Sequence, residues 1–97
     1  MADEDARYSF PDNLERLLGL HRLTSARAAK LIGVSPTTLS YWRNGKQTPG
    51  ARTQHSLLVF FELDYWDLNW RPFGEILEGP LADRARFERV EAKIRGE

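Results

Sequence analysis

Apolar residues return along this chain at helical spacing and almost nowhere in strict alternation, so the pattern predicts helices and no sheet. Leu14, Leu17 and Leu18 mark a first helix, with Asp12 as N-cap, Glu15 three residues on, and an end near residues 20–22. Thr24 caps a second, carried by Ala26, Ala28, Ala29, Leu31 and Ile32 and stopped by Gly33, which accepts a left-handed C-cap. Ser35 caps a third, with Pro36 at its first position, where the missing N–H costs nothing. Pro49 and Gly50 break the chain before a fourth helix over residues 51–63, and a short fifth follows from Asp64. The stretch "RPFGEILEGPL", with two Pro and two Gly, reads as a turn-rich connection holding at most one helical turn. In the last segment Phe87, Val90 and Ile94 form the narrow apolar seam of an amphipathic helix among alternating charges.

The stretch "GVSPTTLSYWRNGKQTP" at residues 33–49 divides its helix into two faces. At about 100° per residue, Trp42 and Arg43 lie within about 60° of Leu39, whereas Thr37 and Tyr41 lie about 160° away, flanked by Ser40 and Asn44. Such a helix buries Leu39 and Trp42 and offers Thr37, Ser40, Tyr41 and Asn44 outward. Only Gly33, Val34 and Ser35 separate it from the helix before, and so short a connection makes the two cross steeply. The crossing demands a small residue, which Ala29 supplies.

Composition bounds the rest. Ninety-seven residues, 41% apolar, suit one modest core. There is no cysteine for a disulfide or a thiolate metal site. The longest apolar run, Leu57 to Phe61, cannot cross a bilayer, and the acidic start "MADEDARYSF" is unlike a signal peptide, so a soluble, cytoplasmic protein is expected. The net charge of zero hides a strong asymmetry: residues 14–55 carry Arg16, Arg22, Arg27, Lys30, Arg43, Lys46 and Arg52 against Glu15 alone, or +6, between two flanks of −3 each. A basic segment of this kind is a footprint for a polyanion, where solvated helix faces are the plainer alternative. His21 and His55 lack ligand-type spacing, and no nucleophile elbow or phosphate-binding glycine loop is present. No catalytic residue, metal or cofactor is therefore expected, and the chain reads as no enzyme.

Over residues 14–68, about 55 of the 97, the sequence resembles the Cro and phage-repressor (XRE-like) helix-turn-helix family, and "LTSARAAKLIGVSPTTLSYWRNGKQTP" matches its second helix, turn, recognition helix and following loop without a gap. The resemblance implies an all-α fold: a compact four- to five-helix repressor-type domain over residues 12–69, with a flexible acidic arm at 1–11. Residues 70–97 would add the turn-rich connection and an extra C-terminal amphipathic helix. It implies a sequence-specific regulator of transcription, a repressor on double-stranded operator DNA, with the recognition helix (36–44) in the major groove. Carried over residue by residue, base contacts fall on Pro36, Thr37, Ser40 and Tyr41, and phosphate contacts on Ser25, Arg27, Thr38, Arg43, Asn44, Lys46, Thr48 and Arg52. Where the family commonly has Gln after the Thr, anchoring a phosphate and bracing the recognition helix, this chain has the shorter Ser25, and Arg27 is the candidate replacement.

The alternative within the same fold is a protein-interaction module, antitoxin-like or coactivator-like. Residues 70–97 are expected to pack back on the fourth and fifth helices, the other readings being a homodimer contact or a lead into a further domain.

Overall fold

Ser9, not Asp12, opens the first helix of the computed structural model, which describes residues 8–96. This helix, α1, spans Phe10–Leu20, with Pro11 and Asp12 inside its first turn. Long-range packing moves the boundary: Phe10 is fully buried, and the Ser9 N–H donates to the Asn69 carbonyl at 2.7 Å. The arm expected over 1–11 lies largely outside the described residues. Its described end is anchored, the Tyr8 ring meeting Trp70 edge-on at 5.2 Å.

The next two helices follow the sequence closely. Helix α2 (Ser25–Ile32) has Thr24 as N-cap, whose hydroxyl accepts from the Arg27 N–H at 3.1 Å, and α3 (Pro36–Arg43) has Ser35, which accepts from Thr38 N–H at 3.1 Å. Gly33 ends α2 at φ +90°, a conformation a side chain would strain, and its N–H closes on Ala29. Helix α4 (Ala51–Phe61) stops two residues short of expectation, because Glu62 takes the left-handed cap itself at φ +56°. Helix α5 (Tyr65–Trp70) is capped by the Asp64 carboxylate.

Beyond it the chain is more helical than its Pro and Gly content suggests. Phe73–Glu78 forms α6, longer than the single turn expected, followed by a 3₁₀ turn at Pro80–Ala82 and by α7 (Arg84–Arg95). Pro72 precedes α6 and Gly79 and Pro80 follow it, so three of the four breakers lie outside the helix and only Gly74 falls within it, while Phe73 and Ile76 bury one side of it.

One core unites these elements. Leu14, Leu17 and Leu18 of α1 meet Ala28, Ala29, Leu39, Trp42, Leu57, Phe61 and Leu68, and the later residues Phe73, Ile76, Leu81 and Val90 join the same cluster. Each such large side chain contributes about 1.5–3 kcal/mol when fully buried. The tail therefore folds back on the domain: α6 packs on α1, and α7 packs on α4 and the 3₁₀ turn. Asn13 fixes the other side from inside the core, its amide donating to the carbonyls of Leu68 at 3.0 Å and Arg71 at 2.8 Å. No described helix is long and apolar enough to cross a membrane.

Candidate nucleic-acid interface

Helix α3 owes its orientation to the two side chains it buries. Leu39 is fully buried and Trp42 is 3% exposed, and they close the joint with α1 and α2. Pro36, Thr37, Ser40 and Tyr41 consequently stand on the opposite side, all exposed. Four hydrogen-bonding or apolar groups thus project from one helix face. Tyr41 is 38% exposed, and Lys46 rests 5.8 Å from its ring centre, so the phenol is flanked by a cation.

The loop after α3 turns at Gly45, with φ +76°, and folds back on the helix end: the N–H groups of Lys46 and Gln47 both donate to the Tyr41 carbonyl, at 2.9 and 3.3 Å. This places Asn44, Lys46 and Thr48, all exposed, beside the outward face of α3. Arg52 follows in the first turn of α4, exposed as well. Asn44 turns its amide toward Ser40 at 3.5 Å.

The remaining sequence candidates behave differently. Thr38 is half-buried and its hydroxyl accepts from Ser35 at 3.0 Å, an interaction local to the helix start. Arg27, expected to stand in for the missing Gln, instead donates to the carbonyl of Ile94 at 2.6 Å, tying α2 to the end of α7. Ser25 sits in the first turn of α2 and its hydroxyl accepts from Arg43. Arg43 also pairs with Glu15 of α1 at 2.6 Å, so the segment's lone acid is spent on one of its own cations. Arg16 is likewise matched, by Asp12 at 3.1 Å. Arg22, Arg27, Lys30, Lys46 and Arg52 have no ion-pair partner among the described residues, and these make up the uncompensated positive charge of the segment.

The contact of α2 with α3, the left-handed Gly33 between them and the capped start of each suit a helix-turn-helix, and a family model described as Helix-turn-helix matches residues 14–58. Over that segment the chain is similar to the helix-turn-helix family. In this helix-turn-helix α3 is the second helix, the one whose outer face is free. The likeness of fold reaches past the family segment. A crystal structure described as a transcriptional regulator from Listeria innocua superposes with a TM-score of 0.62 at 21% identity, covering 93% of this chain and 92% of that one. Helices α6 and α7 are thus part of a shared fold and not an appendage peculiar to this chain. No curated protein matches the sequence.

The two histidines lie apart from this face. His21, the C-cap of α1, is buried with Nδ1 2.6 Å from Glu91, and its ring stacks on Phe87 at 4.8 Å, whereas His55 is exposed on α4. Among the described residues no group of three or more His, Cys, Asp or Glu side chains is placed to hold a metal.

Proposed function

We propose that this protein binds double-stranded DNA with α3 in the major groove and regulates transcription by occupying an operator. The observation that carries the reading is the division of α3 into two faces: Leu39 and Trp42 seal one against the core, and Pro36, Thr37, Ser40 and Tyr41 are left outward on the other. A polar outer face alone is what any surface helix presents to water; here it is bordered by Lys46, 5.8 Å from the Tyr41 ring, and the major groove of B-DNA admits one helix of this width. Thr37 offers a hydroxyl and a methyl, and Tyr41 a phenol and a ring edge. None makes the two-pronged pairing by which Arg reads guanine, so recognition would rest on several single contacts and on DNA shape.

Phosphates would be held by Lys46, Thr48, Asn44 and Arg52 on one side of the helix and by the start of α2 at Ser25 on the other. Titrating a fluorescent duplex at several salt concentrations tests the proposal. Affinity should fall steeply with salt, and Lys46→Ala or Arg52→Ala should weaken every duplex alike. A flat salt dependence would end the reading.

A second reading, protein contact through the same fold, has one observation in its favour. Tyr65 and Trp66 on α5 are 54% and 59% exposed, unusually open for aromatic side chains. A protein that binds no duplex at any salt but retains a partner through Trp66 would support it.

A further inference from the structure

We infer that Arg43 is a positioning residue of the DNA interface, one that sets the pose of α3 by joining three helices, and not a phosphate ligand. The inference rests on the DNA-binding reading and assigns a role within it. Arg43 is the last residue of α3, and its guanidinium is only 26% exposed. Its Nε donates to Glu15 Oε1 of α1 at 2.7 Å and its Nη2 is in ion-pair contact with the same oxygen at 2.6 Å, while Nη1 donates to the Ser25 hydroxyl of α2. All three nitrogens are thus taken up by two acceptors on two other helices, the Glu15 contact lying on a partly exposed surface. A planar fork with fixed donor directions can span such a pair, and a lysine ammonium cannot hold both in the same way.

The arrangement matters because it adds a polar tie at the last residue of α3 to the apolar anchorage that Leu39 and Trp42 provide. The helix has eight residues, and its buried contacts come from Leu39 and Trp42. A rotation of about 10° about its axis, at a side-chain radius of about 5–6 Å, would move the tips of Thr37 and Tyr41 by about 1 Å, enough to spoil a hydrogen bond to a base edge. Arg43 opposes that rotation from the last turn. It has a second effect, on Ser25. By donating to the Ser25 oxygen it leaves the serine's own hydrogen as the group free to donate. The role that a longer side chain at position 25 would fill alone is divided here between Ser25 and Arg43.

The charge balance agrees with this assignment. Glu15 neutralises the guanidinium where it lies, so a phosphate approaching Arg43 would have to displace a carboxylate already in contact with it.

Arg43→Lys separates the two roles, since lysine serves a phosphate as a point charge but loses the fork. Binding of the parent, Arg43→Lys and the charge-exchanged pair Glu15→Arg with Arg43→Glu is measured on the best duplex and on a random one, across salt, with a thermal melt of each free protein as a check on folding. The parent must bind duplex DNA; if it does not, the DNA reading falls and this inference with it. With binding present, Arg43→Lys should lose roughly five- to tenfold on the best duplex and little on the random one, with the salt slope unchanged, and the exchanged pair should recover most of the loss. Parent-like preference in Arg43→Lys, or an exchanged pair that weakens on both duplexes with a slope shallower by about 0.9, would make Arg43 a phosphate ligand and overturn the inference while leaving DNA binding intact.

Discussion

Arg86 of α7 reaches under the core and donates to the backbone carbonyl of Phe61, the last residue of α4, with its Nε donating to the Pro80 carbonyl at 2.9 Å. The guanidinium is almost completely removed from water, at 3% exposure, and burial pulls its pKa below the usual arginine value. Arg86→Met keeps the stem and removes the donors, leaving the Phe61 carbonyl stranded and the Pro80 carbonyl with the Asp83 N–H alone. A stranded group costs about 1–3 kcal/mol, so the variant should melt lower. Chemical denaturation checks this, and an unchanged midpoint would show that water replaces the arginine at no cost.

Trp42 and Tyr41 are neighbours with opposite fates. Trp42→Ala should destabilise the fold by roughly 3–5 kcal/mol through a core cavity. Tyr41→Ala and Thr37→Ala should leave the melt nearly unchanged, yet cost on the order of 1–3 kcal/mol on the preferred duplex and narrow its advantage over random DNA. Measuring stability and binding on the same three variants settles it. Undiminished preference in Tyr41→Ala would make Tyr41 an ordinary surface aromatic.

Glu62 and Arg89 give a pH signature. The Arg89 guanidinium donates to both carboxylate oxygens, at 2.7 to 3.1 Å, and this hydrogen bonding, more than the neighbouring positive charge, holds the Glu62 carboxyl below its ordinary range. Because the folded value is lowered, the stabilisation is complete above the unfolded glutamate pKa and disappears as pH falls through the folded one. The pair is partly exposed, so the effect should be small and sensitive to salt. Carbon-detected titration should place the Glu62 midpoint below that of a free glutamate, and Arg89→Ala should move it back up. A midpoint that does not respond to Arg89→Ala would mean the contact is not held in solution.

Ending the chain at Asn69 removes Phe73, Ile76, Leu81 and Val90 from the core and deprives Asn13 of the Arg71 carbonyl. The shortened form should melt far below the full chain and expose apolar surface that binds a hydrophobic dye. Light scattering distinguishes this from a pairing role. If the full chain is a dimer that becomes a stable monomer on shortening, the tail serves association instead.

The elements most legible in the sequence were those specified by neighbours within a turn. Thr24 and Ser35 each cap the helix they were expected to cap, and Gly33 takes its left-handed turn, because a cap is a contact across three residues. What local spacing could not reveal was set from far away. Phe10 and Ser9 belong to the first helix because α5 receives them, and Asp12 satisfies every local rule for a cap while lying inside that helix. Pro11 gave no warning, since a proline sits comfortably in any first turn. The faces of α3 could be read from its period, but the destinations of its flanking cations could not. Arg27 and Arg43 are long side chains whose partners, Ile94 and Glu15, lie 67 and 28 residues away.

The grip of α7 on α4 is addressed to the backbone. Besides the arginine bond to Phe61, the Lys93 ammonium donates to the carbonyls of Val59 and Phe60, at 3.0 and 2.9 Å, so three successive carbonyls at the end of one helix are closed by side chains of another. A carbonyl is the same whatever residue carries it. The outward side chains of α4, among them the exposed Val59, can therefore drift in evolution without loosening the tail, whereas any change that unwinds the last turn of α4 releases all three bonds together.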